Sequence, residues 1–355
     1  MKKFLFLFLL LFQLPCLFCL DYVVIKQNEQ YGLASQQLEV LLNPTYRSID
    51  IINEYIFLRT FSCIYVLNSK LEQIDYIKAG KADFFKSVEY CRENYYIFHG
   101  YACDCLYNIK NGVVSYMEGI APNSFNEEMS TLLPIYTRGY YYSYETQKKY
   151  LDTFSFEFVY PFINGRAVVV DNDYKKSIID ENGNVIIGNI INTALQYKDD
   201  MIPVITETDS GFIDRDGNFV FKCPIYDENK KNNPGGIPAL WCVFSEGYAY
   251  VPVSDRSWII FKDDGSMIKE VQYKTNSQKG FSEGFLPIIN GKTGYINTVG
   301  TICIPFVFDN AEDFKNNYAC VVFKGEDAVL DKKGNVYFIK DLLKGNKKTF
   351  TNVLD

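Results

Sequence analysis

The stretch "EGFLPIINGKTGYINTVGTICIPFVFDNAEDF", residues 283–314, contains three short apolar runs separated by two turn signals. The first turn is Asn290-Gly291, a dipeptide that favours a two-residue hairpin turn because both positions require a positive φ. The second turn is centred on Gly300. Three apolar runs joined by two tight turns predict a three-stranded antiparallel meander over these residues.

The second turn of this unit recurs in a more polar form elsewhere in the chain. It reads "IIDENGNVII" at 178–187, "FIDRDGNFVF" at 212–221 and "AVLDKKGNVYF" at 328–338. The shared Asp-x-x-Gly-Asn core predicts a type I turn followed by a left-handed glycine, with the aspartate side chain capping the turn. Each copy is therefore expected at the corner of a hairpin.

The same unit can be laid along the whole chain at intervals of 33 to 47 residues. The predicted first strands begin near Asp21, Glu54, Asn94, Thr131, Gly165, Asp200, Gly247, Gly284 and Asn317. The predicted fold is thus all-β, a tandem array of about nine three-stranded antiparallel meander repeats. A unit of about 35 residues cannot bury both faces of its sheet alone, so its neighbours must stack on it. We expect an open superhelical stack, because common propeller repeats are longer, about 40–45 residues; β-propeller-like closure is the alternative.

The clearest copies resemble the bacterial WG-repeat family. The resemblance rests on "FSEGFLPIINGKTGYINTVGTICIPFVFDNAEDF" at 281–314 and on the partial copy "FSEGYAYVPV" at 244–253. The Trp-Gly pair that names the family is replaced by Thr293-Gly294, and elsewhere by Ser210-Gly211 and Tyr31-Gly32. The resemblance implies tandem β repeats and carries no catalytic residue or cofactor.

The chain divides into four predicted segments. Residues 1–20 are interpreted as a signal peptide, because Lys2 and Lys3 precede an apolar run that is too short for a confident membrane span. A retained anchor, or lipidation of Cys16 or Cys19, are the alternatives. Divergent N-terminal β repeats follow at 21–130, WG-like β repeats at 131–339 and a C-terminal cap or tail at 340–355.

Charge and composition restrict the classes of partner. Removal of Lys2 and Lys3 leaves 34 basic residues against 43 acidic ones, and no segment concentrates positive charge. Binding to phosphate backbones depends on such concentration, so nucleic acid is not an expected partner, and a membrane is expected only through an N-terminal anchor. Eight cysteines lie beyond residue 20; their spacing favours mostly free thiols, with one or two bridges at most.

Candidates for chemistry have simpler structural explanations. His99, the single histidine, occupies the turn position of a repeat and is expected as an exposed turn residue; Cys103 and Cys105 lack the second ligand pair of a zinc site. The acidic stretches "DNDY" (171–174) and "DRDGN" (214–218) are too short for a calcium loop and fit turn capping. We expect no catalytic residue, metal or other cofactor.

The stretch "RGYYYSYETQKKY", residues 138–150, is the predicted ligand surface. Strand alternation places Tyr140, Tyr142 and Tyr144 on one face, where exposed rings with polar tips suit a sugar or a protein partner. The favoured hypothesis is an exported, non-enzymatic protein that binds a protein or glycan in the cell envelope. The alternatives are a hydrolase of carbohydrate or peptidoglycan with paired carboxylates, and a purely structural envelope component.

The signal-peptide interpretation predicts the mass of the native protein. Purified from its cell fraction without reducing agent, the protein should lack about twenty N-terminal residues, since a signal peptide is removed during export. Intact-mass spectrometry measures this, and added lipid mass would indicate anchoring. A full-length, reduced chain would contradict export with cleavage.

Overall fold

The computed structural model describes residues 22–78, 85–92, 94–100, 104–117, 132–135, 140–143, 148–151, 156–160, 162, 165–193, 201–225, 242–254, 257–275, 277, 280–346 and 350–354. These residues form antiparallel sheets joined in sequence order, with a single short helix among them. The all-β prediction is confirmed.

The strands of the N-terminal half form four sheets. The first has β1 (Val23–Gln27), β2 (Gln30–Ala34) and β3 (Val40–Tyr46), and the second has β4 (Ser48–Ile52), β5 (Tyr55–Arg59), β6 (Cys63–Asn68) and β7 (Gln73–Lys78). The third has β8 (Phe85–Arg92), β9 (Tyr95–Gly100), β10 (Asp104–Asn108) and β11 (Val113–Met117). The fourth has β12 (Leu132–Ile135), β13 (Tyr140–Ser143) and β14 (Lys148–Tyr150).

Three further sheets complete the chain. One has β15 (Phe156–Val159), β16 (Arg166–Asp171), β17 (Lys176–Asp180), β18 (Val185–Thr193), β19 (Ile202–Thr206), β20 (Ser210–Ile213) and β21 (Phe219–Lys222). The next has β22 (Val243–Ser245), β23 (Tyr248–Pro252), β24 (Trp258–Lys262) and β25 (Met267–Val271). The last has β26 (Phe285–Asn290), β27 (Lys292–Asn297), β28 (Ile302–Ala311), β29 (Tyr318–Phe323), β30 (Glu326–Asp331), β31 (Asn335–Phe338) and β32 (Thr351–Asn352), with helix α1 (Ile339–Leu342) between its last two strands.

The predicted first strands correspond to observed ones. Strands begin within two residues of every predicted start, at Val23, Tyr55, Tyr95, Leu132, Arg166, Ile202, Tyr248, Phe285 and Tyr318. The predicted turn chemistry is also present at Asp180, whose Oδ1 accepts hydrogen bonds from the backbone amides of Asn182 (2.9 Å) and Asn184 (2.8 Å). Gly183 of the same turn has a φ of 85°. Burial alone would raise the pKa of Asp180, but its bonds with Asn184 and Asn182 lower it. The turns at Asp214 and Asp331 repeat this hydrogen-bond pattern.

A glycine without room for a side chain stands at the position of the family's Trp-Gly pair. At Gly32, Gly211 and Gly294, an added Cβ would lie 2.3–2.7 Å from a backbone oxygen of the next strand, closer than any real side chain can approach. The oxygens belong, in the same order, to Leu42, Phe221 and Ile304. The sequence varies the residue before this glycine because only the glycine is required by the close approach of two backbones.

This close approach coincides with a bulge that bends the third strand of the unit. Thr293 pairs with Phe308 and Tyr295 pairs with Ile304. An advance of two residues along β27 is therefore opposite an advance of four residues along β28, which includes Pro305. Bulges bend a strand and increase its twist. Beyond the bulge, β28 leaves β27 and pairs with β29. The third strand of one unit thereby also pairs with the first strand of the next unit in the same sheet, and β18 does the same between β17 and β19.

Carboxylates tie successive units together at their first turns. The side chain of Glu246 accepts hydrogen bonds from the backbone amides of Glu283 (2.6 Å) and Gly284 (2.9 Å). Glu283 repeats this one unit later with the amide of Asn317 (3.0 Å). The glutamate of each acidic-Gly pair therefore orients the following unit. This role explains why the acidic-Gly pair recurs.

The buried apolar side chains of the described residues group into clusters that each join two consecutive units. Phe57 of β5, for example, packs with Tyr96 and Phe98 of β9, and Tyr295 of β27 packs with Leu330 of β30. Such clusters lie at each junction along the array apart from the one that involves the undescribed residues 118–131. Among the described residues, the buried clusters are shared between units, as expected for stacked repeats.

The two ends of the array are in contact. Val23 and Ile25 of β1 share a buried cluster with Val329 of β30 and with Ile339 and Leu342 of α1. The contact is also polar: the amide of Asn28 donates to Asp327 (2.9 Å) and Asn316 Nδ2 donates to the carbonyl of Tyr22 (2.9 Å). The predicted open superhelical stack is therefore wrong, because an open stack keeps its first and last units apart.

The C-terminal segment, predicted as a cap or tail, is built into this fold. The short helix α1 contributes Ile339 and Leu342 to the cluster between the chain ends. Residues 351–352 then return as β32 and pair with β31 at Asn335 and Val336. The segment thus covers both the junction and the outer edge of the last sheet.

The glycine constraint can be tested with a pair of substitutions. Gly294→Ala should lower the free energy of unfolding by about 3 kcal/mol, because the methyl group would meet the backbone of β28. Gly291→Ala should cost only about 1 kcal/mol: its φ is 73°, but nothing lies within 4 Å of the added Cβ. Urea unfolding measures both, and equal losses would contradict the steric explanation.

The contact between the ends can be tested by hydrogen exchange. Leu342→Ala should remove about 2–5 kcal/mol of packing and speed amide exchange in residues 23–34, which lie more than 300 residues away in sequence. The control Val66→Ala, in the cluster with Phe57, should leave exchange at residues 318–338 unchanged. Faster exchange confined to the C-terminal residues in Leu342→Ala would argue against closure.

Candidate binding cavity between the chain ends

A cavity of about 670 Å³ lies between the first unit and residues 277–320 of the last three units. Its wall combines apolar residues with carboxylates and tyrosines. It is lined by Tyr22, Val24, Tyr31, Ile49, Asp50, Ser277, Ser282, Pro287, Asn310, Ala311, Glu312, Asp313, Phe314, Lys315, Tyr318 and Cys320. These residues come from both ends of the chain, so the cavity exists only because the ends meet.

The segment after β28 forms the acidic part of the wall. Phe314 is fully buried and packs against Phe285 and Tyr295, with ring centroids 4.6 and 5.0 Å away. The hydroxyl of Tyr295 donates a 2.7 Å hydrogen bond to the carbonyl oxygen of Glu312. This packing fixes the backbone of residues 312–314 and leaves the side chains of Glu312 and Asp313 at the cavity.

A lysine of the chain itself contacts the aromatic and acidic wall. Lys26 Nζ lies 3.6 Å from Glu312 Oε1, 3.0 Å from Glu29 Oε2 and 5.4 Å from the centroid of the Tyr31 ring. Burial opposes the charge of Lys26, but the hydrogen bond with Glu29 and the nearby acidic groups raise the pKa of the lysine overall. The cavity wall is therefore a favourable environment for a cation.

Burial also changes the acid–base behaviour of two residues in the wall. Burial raises the pKa of Glu312, although the neighbouring Lys26 acts in the opposite direction. Burial likewise raises the pKa of Tyr31, and the charge of Glu312 adds to this effect. Glu312 therefore takes up a proton at a higher pH than an ordinary glutamate does.

The tyrosine hydroxyls of the wall serve the fold. Tyr22 donates to the carbonyl oxygen of Ser69 (2.9 Å), and Tyr318 donates to that of Gln36 (3.0 Å). With their tips held, these side chains are rigid parts of the wall. Rigid aromatic side chains beside carboxylates can bind a cationic group or the apolar face of a sugar.

The predicted tyrosine surface is described only in part. Tyr140 and Tyr142 lie in β13, opposite Ile135 and Leu133 of β12, and Tyr144 lies outside the described residues. Tyr141, predicted on the other face, is fully buried and donates to the carbonyl oxygen of Tyr160 (2.8 Å). The ligand role of Tyr140, Tyr142 and Tyr144 stays a prediction.

The prediction that His99 is a turn residue is wrong. This residue lies in β9 and pairs with Ser87 of β8, because β8 is long enough to extend the ladder to Gly100. Cys103 is outside the described residues, and Cys105 is buried. Among the described residues, no group of three or more histidine, cysteine, aspartate or glutamate side chains is placed to hold a metal ion.

The cysteines whose side chains are described are free thiols: Cys63, Cys105, Cys223, Cys242, Cys303 and Cys320. Burial raises the pKa of Cys223 to about 12 and that of Cys303 to about 11. A thiol with so high a pKa is a poor nucleophile at neutral pH. Cys105, Cys223 and Cys242 belong to the buried apolar clusters, whereas Cys303 and Cys320 are half-buried and donate hydrogen bonds to the carbonyl oxygens of Tyr295 and Val24.

The sequence did not single out the acidic residues of the cavity. Asp50, Glu312 and Asp313 are three acidic residues among 43. Only the "DNAEDF" ending of the clearest repeat, where an acidic pair precedes a core phenylalanine, marks the position of Glu312 and Asp313. Their meeting with Asp50 depends on the contact between the chain ends.

Comparisons with known proteins bear on the fold and on one repeat. A crystal structure of the eukaryotic initiation factor is similar with a TM-score of 0.57 at 7% identity, covering 89% of this chain and 94% of that one. BamB from Moraxella catarrhalis is similar with a TM-score of 0.47 at 9% identity, covering 84% and 96%. At 7% identity the likeness to the initiation factor concerns the fold alone. No curated protein matches the sequence.

The described residues contain no helix that is long and apolar enough to span a membrane. Residues 294–326 match the family model of the WG containing repeat, which confirms the predicted resemblance for this one repeat.

Proposed function

We propose that this chain is an exported, non-enzymatic β-repeat protein that binds a protein partner in the cell envelope through the cavity between its ends. The observation that carries the proposal is the composition of the cavity wall: Asp50, Glu312 and Asp313 stand beside Tyr22, Tyr31 and Tyr318. Concave sites with a few convergent polar groups are the usual form of a binding site.

The proposal includes a finer description of the fold. Nine three-stranded meander units close into a β-propeller-like ring, and the third strands β18 and β28 also pair with the unit that follows them. The cluster of Val23 and Ile25 with Val329 supports this, since it joins the last unit to the first as the other clusters join consecutive units. A ring presents one fixed concave surface, which is what a binding scaffold requires.

A basic segment of a protein suits the cavity better than a neutral glycan. The position of Lys26 beside Glu312 and the Tyr31 ring shows how an ammonium group is accommodated in this wall. A partner's lysine or arginine side chain would find the same ion pairing and the same ring face. A glycan could use the aromatic rings but would carry no positive charge to interact with the carboxylates of the wall.

A second candidate function, hydrolysis of carbohydrate or peptidoglycan, is favoured by one observation. The pKa of Glu312 is raised by burial, and Asp313 follows it in the same wall. Glycoside hydrolases use a protonated acid beside an ionised carboxylate. Release of reducing sugar from peptidoglycan, abolished by Glu312→Gln, would establish this function and overturn the proposal. A purely structural envelope component would show neither binding nor turnover.

A binding experiment with N-acetylated hexalysine tests the proposed function. By fluorescence anisotropy we expect saturable binding that weakens with added salt. Glu312→Gln should weaken it about five-fold, about 1 kcal/mol, because one carboxylate of the wall is lost. Binding should also fall as the pH drops through the raised pKa of Glu312, where the protonated side chain no longer attracts a cation.

Control variants separate the cavity from other surfaces. Asp173→Asn removes the same charge from an exposed hairpin turn and should leave the affinity unchanged. Tyr142→Ala tests the predicted surface on β13; a loss there, with Glu312→Gln unaffected, would assign binding to the tyrosines. Preference for chitohexaose over hexalysine would point to a glycan partner instead.

A further inference from the structure

The lysine beside the cavity belongs to a strand whose other side chains on the same face line it. Tyr22 and Val24 line the cavity, and Lys26 follows two residues later in β1, so strand alternation places it on their face. The side chain of Lys26 is only 17% exposed. Its ammonium group therefore lies against the protein surface that borders the cavity rather than out in the solvent.

Two of the three groups around this ammonium belong to the cavity wall. Glu312, 3.6 Å from Lys26 Nζ, and Tyr31, whose ring centroid lies 5.4 Å away, both line the cavity. The third group, the carboxylate of Glu29, is 86% exposed. A lysine or arginine of a partner would use the same wall carboxylate and the same ring face. The internal cation and a partner's cation therefore compete for one position.

Glu29 gives the lysine a position to which it can withdraw. The shorter of its two ion pairs is the one with Glu29, at 3.0 Å, in the exposed turn between β1 and β2. The backbone amide of Asn28 donates to Asp327 (2.9 Å), which fixes this turn against the last unit. A lysine side chain is long and flexible enough to keep its contact with Glu29 while it leaves Glu312 and Tyr31.

The number of charges on the partner decides how much is gained by displacing the lysine. A single cation takes over only the contacts that Lys26 gives up. A segment with several basic side chains gains more, because Asp50 and Asp313 line the same cavity as Glu312. An internal cation thus discriminates against isolated cations more than against polybasic segments.

We propose that Lys26 is a built-in competitor of the partner: it occupies the cation position formed by Glu312 and the Tyr31 ring, and a polybasic segment must displace it to bind. The inference rests on the proposed function, because it concerns the same cavity. An engaged lysine lowers the apparent affinity, since only the fraction of molecules with a vacated position can bind. Lys26 thereby restricts the cavity to partners with several adjacent basic residues.

Substitution of the lysine tests the competition by fluorescence anisotropy. Lys26→Met should bind N-acetylated hexalysine about five-fold more tightly than the unaltered chain, which corresponds to a lysine that is engaged in about four-fifths of the molecules. Lys26→Arg keeps a competing cation and should bind as the unaltered chain does. Thermal unfolding of each variant, followed in parallel, checks that the gain belongs to a folded protein.

The matched control is a lysine with the same kinds of contact in another unit. Lys222 pairs with Asp209 (2.8 Å) and lies 5.2 Å from the centroid of the Phe219 ring, and these residues do not line the cavity. Lys222→Met removes the same charge and should leave the affinity unchanged. An equal gain in Lys222→Met would assign the effect to net charge and overturn the competition.

Lysine acylation gives a second readout that does not depend on affinity. With N-acetylated hexaarginine at saturation, Lys26 should react faster with an N-hydroxysuccinimide ester, because its displaced amine is more exposed, while Lys222 should react as before. Mass spectrometry of the digested protein measures both. A rate for Lys26 that stays unchanged or falls would overturn the proposal.

The outcomes separate the competition from the proposed function. Equal affinities of Lys26→Met and the unaltered chain for hexalysine, together with weaker binding by Glu312→Gln, would overturn the competition and leave the function of the cavity in place. Absence of binding in both the unaltered chain and Lys26→Met would overturn both. Binding by Lys26→Met alone would support the competition in its strongest form.

Discussion

The fold depends on a backbone-to-backbone contact that only glycine permits. Where Gly294 faces Ile304, two strands approach too closely for any side chain, and the longer strand bulges and bends away. Beyond the bend, β28 pairs with β29 of the next unit. Without it the third strand would stay in its own meander, and consecutive units would lack the covalent and hydrogen-bonded connection that sets their relative orientation. Gly32 and Gly211 make the same close backbone approach with different residues before them.

The orientation between units is reinforced by packing and by charge. Clusters of aromatic and aliphatic side chains fill each described junction, and Glu246 and Glu283 bind the first turn of the following unit. The small rotations between consecutive units accumulate along a repeat array. In this chain their sum brings residue 23 to residue 329 and creates a cavity that no single unit contains. Carboxylates of separate units, Asp50 on one side and Glu312 and Asp313 on the other, line this cavity together.

Local features were predictable from the sequence because their causes are local. The Asp-x-x-Gly-Asn corner at 180–184 encodes its own hydrogen bonds, and the strands begin within two residues of their predicted starts. Closure was not predictable, because it depends on the accumulated twist of many junctions rather than on any one motif. The same holds for the cavity, since nothing near Asp50 in the sequence refers to Glu312. His99 was misplaced because the length of its partner strand β8, not its own turn-like sequence, decides where β9 ends.

The contact between β1 and β30 has a consequence for the order of folding. Junctions between consecutive units join residues that are tens of positions apart, whereas Asn28 and Asp327 are separated by 299. Bringing distant residues together costs chain entropy, and contacts of high sequence separation form slowly. Units can assemble on one another from any starting point, but the seam between residues 22–38 and 318–342 can close only when the array on both sides is in place. The seam, and with it the cavity, is therefore the last part of the molecule to become structured.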